Sequence, residues 1–182
     1  MTRRVVVTGM SAFSPLGLTP EEHLNNLKPC RNFIKYMHEW DMYKGLNTRL
    51  AAPITNFEKP EHYGRKDVRS MGRVALLSTY SAELALKDAG LFGLPEITDG
   101  ATGVAYGSSS GSVDAIKDFY SMLETHAVSN VTSSTYIKMM SHTCAVNIAV
   151  YLKLTGRLIP TGTACTSGSL AVGSAYEMIR YG

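Results

Sequence analysis

The chain has 182 residues, of which 45% are hydrophobic and 18% are charged, and its formal net charge is +3. This composition supplies enough apolar residues for a buried core and excludes a disordered chain. The charge is too small to indicate nucleic-acid binding, and no apolar run approaches the roughly 20 residues that a membrane-spanning helix needs.

Two regular elements open the chain. Three consecutive valines within residues 4–8 predict a buried strand. A loop follows, and then Thr19, Pro20 and Glu22 predict the start of a helix. They provide a threonine cap, a proline at the first helical position and a glutamate three residues after the cap. We expect this helix to run to about Lys28.

An irregular stretch and a long helix come next. Residues 30–64 predict an excursion at the surface, anchored by Trp40 and the aromatic residues of 33–43. A helix over about 70–89 follows, with Gly90 as its C-terminal cap. Its predicted apolar face consists of Met71, Val74, Leu77, Leu84 and Ala85.

The rest of the chain alternates strands with helices. The predicted elements are a strand over 102–107, a helix from about 113, a polar loop over 129–135, a helix over about 136–154 that ends at Gly156, a strand over 159–164 and a helix over 167–181. Strands that alternate with helices favour an α/β architecture with parallel pairs. A strand would normally follow the last helix, so we expect the chain to be part of something longer.

The three cysteines, Cys30, Cys144 and Cys165, are widely spaced and odd in number. This spacing indicates neither a disulfide framework nor a zinc site. The apolar run at the N-terminus is too brief for a secretory signal. We therefore expect a reducing, cytoplasmic setting. Cys144 lies in the predicted helix over 136–154 and is expected to be a packing residue, and His142, in the same helix, is expected to be a satisfied structural histidine.

The segment TACTSGS at 163–169 places Cys165 between the last predicted strand and the last predicted helix. A sharp turn from strand to helix holds the intervening residue at the helix N-terminus, where unpaired N–H groups and the helix dipole concentrate positive potential. That position favours a thiolate, and the same N–H groups can hold a developing oxyanion. The pattern is typical of a nucleophile that forms a thioester. The alternative is a buried structural cysteine.

The same segment resembles the nucleophile motif of the β-ketoacyl-acyl carrier protein synthases, condensing enzymes of the thiolase-like superfamily. Four further segments are similar to that family: RRVVVTGMSAFSPLG, RKDVRSMGRVALLSTYSAELALKDAGL, GVAYGSSSGS and MMSHTCAVNIAVYLKLTGRLIP. The resemblance covers nearly the whole chain except parts of 30–60. It implies a thiolase-like α/β fold, an α-β-α-β-α layered sandwich. Residues 1–182 would form an N-terminal β-ketoacyl synthase domain that holds most of the first half.

The resemblance also implies an acyltransferase that performs a decarboxylating Claisen condensation. Cys165 would take an acyl group from a thioester, and malonyl-acyl carrier protein would lose CO₂ and attack the acyl-cysteine. No metal or redox cofactor is implied, because the phosphopantetheine of the acyl carrier protein carries the substrate. The family forms homodimers, or heterodimers with a related subunit. The resemblance implies a role in fatty acid biosynthesis or in polyketide or aryl-polyene assembly, and the motifs look closer to the latter two.

Two catalytic histidines and a second oxyanion-hole loop lie downstream of the cysteine in this family. Every histidine of this sequence precedes Cys165, and none matches those positions: His23, His38, His62, His126 and His142. We therefore expect a longer open reading frame that supplies both histidines.

Basic side chains cluster around the start of the helix over 70–89. They are Arg65, Lys66, Arg69 and Arg73. By resemblance this region lies near the docking face for the carrier protein, and a basic surface would steer that acidic partner. The alternative is a solvated helix start.

Two groups would contribute to substrate binding by resemblance. Gly107, Ser110 and Gly111 would line the acyl pocket, or form a turn that needs glycine. Tyr136, Met139 and Met140 would belong to the dimer interface and to the partner's acyl pocket, or to an ordinary core stripe.

Two other classes of function are alternatives to the condensing enzyme. The glycines after Thr8 fall only at Gly9 and Gly17, which fits the loop of a nicotinamide-dependent reductase poorly, and no Tyr-x-x-x-Lys follows. A non-catalytic chain-length or scaffold subunit would lack the nucleophile, so Cys165 argues against it. That alternative stays open, because the other catalytic groups are absent from these residues.

Overall fold

The computed structural model describes residues 2–129 and 131–182. Met1 and Asn130, the latter in the predicted polar loop over 129–135, lie outside the described residues. Two units divide the chain: one comprises Ser11–Lys59, and the other comprises the N-terminal residues to Met10 together with Pro60–Gly182.

The smaller unit contains the first predicted helix, α1 (Pro20–Leu27). The Thr19 hydroxyl accepts the Glu22 N–H at 3.1 Å, and the Glu22 carboxylate accepts the Thr19 N–H at 3.2 Å. The capping box predicted from the sequence is therefore confirmed.

The predicted irregular excursion contains little regular structure. Two short strands, β1 (Lys35–Tyr36) and β2 (Leu50–Ala51), pair antiparallel. The Tyr36 hydroxyl donates to the Asp41 carboxylate at 2.5 Å, and the Arg49 guanidinium lies 2.9 Å from the same side chain. Local polar contacts thus hold this hairpin.

The larger unit consists of helices around one pair of strands. Its elements are α2 (Arg73–Asp88), β3 (Val104–Gly107), α3 (Val113–Thr125), α4 (Ser133–Met139), α5 (Thr143–Leu152), β4 (Leu158–Thr161) and α6 (Ser167–Tyr181). β3 and β4 run parallel, with Val104 opposite Leu158 and Gly107 opposite Thr161. α6 packs on both strands, and α5 packs on α2. The predicted parallel α/β arrangement is confirmed, as are the predicted bounds of α6.

A small core joins α2, α5 and β3. Met71, Ala75 and Cys144 are buried together, so the packing role predicted for Cys144 is confirmed. The fully buried residues of α2 are Ala75, Thr79 and Glu83. The predicted apolar face of this helix was therefore wrong in part, because the stripe that faces inward contains two polar residues.

The predicted strand over 4–8 is absent: among the described residues these valines join no β-ladder. Val6 is 59% exposed and Val7 is 79% exposed. A strand needs the backbone of a neighbour to satisfy its N–H and C=O groups. Here the recorded backbone hydrogen bond runs from the Arg3 N–H to the Arg180 carbonyl at the end of α6.

The long helix predicted over 136–154 is broken into α4 and α5. Met140 has extended backbone between them, with φ −83° and ψ 133°. The Thr143 hydroxyl lies 2.7 Å from both the Ile137 and the Met140 carbonyl oxygens, and its one proton is shared between these two acceptors at the break. His142 lies in this break, at the cap of α5, and is exposed, so it is not inside the helix in which it was predicted.

Several predicted boundaries shift by a few residues. α2 begins at Arg73 instead of Ser70, and its predicted C-terminal glycine, Gly90, has φ +68°. α5 ends at Leu152, where Lys153 takes the left-handed conformation expected of Gly156. β4 covers Leu158–Thr161, so the predicted strand over 159–164 ends early.

Apolar side chains of α3 are exposed: Val113, Ile116, Tyr120 and Leu123. None of the helices within residues 2–129 and 131–182 has both the length and the apolar character needed to cross a bilayer.

Candidate active site

Cys165 lies where the chain turns from β4 into α6. β4 ends at Thr161, a 3₁₀ turn covers Ala164–Thr166, and α6 begins at Ser167. The thiol is exposed. The predicted strand–turn–helix placement of this cysteine is confirmed, and the first N–H groups of α6 lie next to it in sequence.

Ala164 has φ +51°, a left-handed conformation that is uncommon for a residue with a Cβ. A backbone held in such a conformation needs support from its surroundings. The support comes from Ser167, which is 3% exposed. Its hydroxyl accepts the Thr163 N–H at 2.9 Å and donates to the Ala164 carbonyl at 2.6 Å. Hydrogen bonds among the small polar neighbours of the thiol therefore stabilise the conformation of the turn.

A second set of contacts fixes this turn against the sheet. The Thr161 hydroxyl donates to the Ser167 carbonyl at 2.7 Å. Gly107, at the end of β3, packs so closely that a Cβ there would lie 2.2 Å from the same carbonyl oxygen. Thr161 and Ser167 were not among the predicted site residues. Their hydroxyls, flanking the cysteine on both sides, were the available signal.

The predicted pocket residues separate into two places. Gly107 touches the start of α6, next to Cys165, whereas Gly111 is buried and donates its N–H to the Met139 carbonyl at 3.2 Å. Ser110 lies between them and is exposed. Its backbone carbonyl accepts a hydrogen bond from the Ser108 hydroxyl at 2.8 Å. The loop over 108–112 therefore runs from the start of α6, beside Cys165, to the end of α4.

The other predicted pocket residues lie on α4 and in the break after it. Tyr136 is 53% exposed, and Met139 and Met140 are half-buried. α4 packs against α3. The contribution of Tyr136, Met139 and Met140 to an acyl pocket stays a prediction.

The three thiols differ in environment. Cys144 is 2% exposed, and burial raises the pKa of its thiol, which keeps it protonated and unreactive. Cys30 is exposed but follows α1 in a loop. Cys165 alone combines exposure with a position at a helix start.

The predicted docking residues, Arg65, Lys66, Arg69 and Arg73, are all exposed. The first three lie in the turns over 60–71, and Arg73 is the first residue of α2. The structure thus presents a basic surface beside α2. Its role in docking stays a prediction.

The sequence and the fold match known proteins along the whole described chain. A family model described as "Beta-ketoacyl synthase, N-terminal domain" matches residues 2–182. The chain belongs to the beta-ketoacyl synthase family. The predicted family and the predicted thiolase-like α/β fold class are therefore confirmed.

Individual members of the beta-ketoacyl synthase family agree with this assignment. The 3-oxoacyl-[acyl-carrier-protein] synthase 2 of Vibrio harveyi is 33% identical over 99% of this chain and 43% of its own length. A beta-ketoacyl synthase crystal structure from Burkholderia phymatum is 49% identical, with a TM-score of 0.93 over 98% of this chain and 44% of that one. This synthase chain therefore spans less than half the length of these relatives.

A more distant likeness supports the fold alone. The AntDE:AntF structure, a type II PKS acyl-carrier protein in complex with its ketosynthase, has a TM-score of 0.79 and 16% identity. It covers all of this synthase chain and 49% of that chain.

Proposed function

We propose that this chain is the N-terminal portion of a 3-oxoacyl-acyl carrier protein synthase in which Cys165 carries the acyl group. The Cys165 thiolate attacks the carbonyl carbon of an acyl thioester. The bond between that carbon and the carrier's sulfur breaks, and the carrier leaves as a thiol after taking a proton. The carbanion formed when malonyl-acyl carrier protein loses CO₂ then attacks the acyl carbon, a carbon–carbon bond forms, and the bond to sulfur breaks to release Cys165 as a thiolate.

The observation that carries this proposal is the exposed Cys165 at the start of α6. A thiol that is both accessible and next to a helix N-terminus has the environment that a thioester-forming nucleophile needs. The N–H of Cys165 itself would be one of the two donors to the oxyanion. Both the catalytic histidines and the second donor belong to the longer protein that this proposal requires.

The partners and the cofactor follow from the same proposal. The substrate arrives on the phosphopantetheine arm of an acyl carrier protein, so no metal or redox cofactor takes part. The 33% identical relative from Vibrio harveyi is named for an acyl-carrier protein, and this name supports such a partner. A homodimer or a heterodimer with a related subunit, a cytoplasmic location, and fatty acid, polyketide or aryl-polyene synthesis remain predictions.

The test is covalent capture of an acyl group. We expect intact-mass measurement after incubation with a short acyl thioester to reveal one added acyl group on the wild-type chain, and none on the Cys165→Ala variant. Peptide mapping should place the adduct on Cys165.

Cys30→Ala is the matched control, because Cys30 is also exposed but lies outside any helix start. This variant should keep the full adduct. An adduct that disappears with Cys30 instead would contradict the role of Cys165. A complete protein that takes no acyl group from any thioester would support the non-catalytic partner subunit.

The basic surface predicts a second result. Reversing the charge of Arg65 and Arg69 to glutamate should slow acylation of Cys165 by acyl-carrier protein by about tenfold or more, since steering by charge accelerates association by that order. Acylation by a small thioester should not change. The difference should shrink as the ionic strength rises.

Lys117→Glu with Arg157→Glu is the matched control, because these exposed residues lose the same charge outside the basic surface. It should leave both rates unchanged. Equal slowing by the control pair would indicate a general charge effect and contradict a defined docking surface.

A further inference from the structure

A buried carboxylate occupies the inward stripe of α2. Glu83 is 0% exposed, which is rare for an ionisable side chain unless it is paired. Lys87, one turn further along the helix, reaches its Oε1 at 2.5 Å. The Tyr151 hydroxyl, on α5, donates to its Oε2 at 3.1 Å. Glu83 therefore joins α2 to α5 by polar contacts inside the protein.

The same carboxylate also holds a segment that lies before α2. The His62 Nε2 lies 2.9 Å from one Glu83 oxygen and 3.1 Å from the other. Tyr63, the next residue, is 1% exposed and packs against Tyr151 with ring centroids 4.4 Å apart and the rings tilted by 40°. The start of the segment is thus fastened to both helices.

The far end of the segment has a separate attachment. The Ser70 hydroxyl donates to the Asn147 side-chain oxygen at 2.6 Å, and the Asn147 amide donates to the Ser70 carbonyl at 3.4 Å. Asn147 lies on α5 and is 4% exposed. Residues 64–69, which contain most of the basic surface, run between these two fixed points, with consecutive turns over 65–70.

We propose that Glu83 is a positioning residue that holds the segment over 60–71, through His62, in the arrangement that presents Arg65, Lys66 and Arg69. This inference rests on the proposed function, because it assigns those side chains to carrier docking. Three long cations on turns would otherwise lose conformational freedom each time a carrier protein binds. A segment already fastened at both ends lowers that cost.

The first variant tests the contact between His62 and Glu83, which we call the anchor, without disturbing the buried core. His62 is 50% exposed at its side chain, so His62→Ala removes the link without emptying a buried site. We expect it to slow Cys165 acylation by acyl-carrier protein between about 2-fold and 30-fold, the range typical of indirect coupling. Acylation by a small thioester should stay unchanged. Hydrogen exchange of amides in 62–69 should accelerate, while the amides of α6 should not change.

Conservative and matched variants distinguish positioning from a general loss of structure. His62→Gln can still donate to Glu83 and should restore most of the carrier-dependent rate. His38→Ala removes another histidine near a carboxylate, 3.7 Å from Asp41, and should change neither rate. A Glu83→Asp variant has a shorter reach to His62. It should slow carrier-dependent acylation and accelerate exchange in 62–69, both by less than His62→Ala does.

The outcomes separate this inference from the proposed function. Failure of wild-type Cys165 to accept any acyl group would overturn the function, and the exchange measurement would still report on the anchor. Normal acylation by both thioesters in His62→Ala would overturn the inference and leave the function intact. Equal slowing with both thioesters, or unchanged exchange in 62–69, would also overturn it.

Discussion

Replacing Gly107 with alanine should destabilise the larger unit by about 4 kcal/mol or more, the range of a severe steric conflict. The added Cβ would lie 2.2 Å from the Ser167 carbonyl oxygen and 2.6 Å from the Gly168 nitrogen, both backbone atoms that cannot rotate away. Either β3 or the start of α6 must move. Because Cys165 immediately precedes that helix, we also expect acylation of the thiol to fall. Denaturant unfolding and the rate of adduct formation measure the two effects.

Gly173→Ala is the matched control for this prediction. Gly173 lies inside α6, and a Cβ there meets no atom within 4 Å. Because glycine weakens a helix interior, this variant should be neutral or more stable by about 0.5–1 kcal/mol. A Gly107→Ala protein as stable as Gly173→Ala would contradict the close packing between β3 and α6.

The position of the thiol thus depends on backbone atoms as much as on the motif around it. Gly107 lets β3 approach α6, the Thr161 hydroxyl ties the end of β4 to the Ser167 carbonyl, and the Ser167 hydroxyl closes the turn. Each contact constrains the short stretch that contains Cys165. A nucleophile held in this way loses little freedom when the reaction begins.

Local sequence signals predicted the elements that depend on local contacts. The Thr19 and Glu22 capping box gave the start of α1, and the helix predicted over 167–181 agrees with the observed α6. The parallel pairing of β3 with β4 followed from the alternation of strands and helices. These features need only neighbouring residues or a common connection rule.

Features that depend on distant residues could not be predicted in the same way. The valines of 4–8 have the composition of a strand, but a strand exists only where a neighbouring backbone pairs with it. The break between α4 and α5 depends on the Thr143 hydroxyl, which could equally have faced solvent. Glu83 looks like a surface residue of an amphipathic helix. Its partners His62 and Tyr151 lie 21 and 68 residues away in the sequence.

The buried Glu83 also predicts how the stability of the protein changes with pH. Burial alone would raise the pKa of its carboxyl, but hydrogen bonds from Lys87, His62 and Tyr63 outweigh burial and hold that pKa below its ordinary value of 4.5. The folded state therefore binds fewer protons than the unfolded state near this pH. The contribution of Glu83 is fully present above about pH 4.5 and is lost as the pH falls through the folded pKa.

Glu83→Gln should therefore lower the free energy of unfolding by about 3 kcal/mol at pH 7, the cost of breaking a buried ion pair. Lys87 and His62 are 44% and 50% exposed, so water can solvate them in the variant and keep the loss near the lower end. Below about pH 4.5 the difference between variant and wild type should narrow, because the carboxyl is then protonated in the unfolded wild type, and it should be lost once the pH falls through the lower folded pKa. Denaturant unfolding at a series of pH values gives both quantities.

Glu177→Gln, at an exposed carboxylate of α6, should differ from wild type by less than about 0.5 kcal/mol throughout. A constant difference between Glu83→Gln and wild type at every pH would contradict an ionised Glu83 in the folded protein.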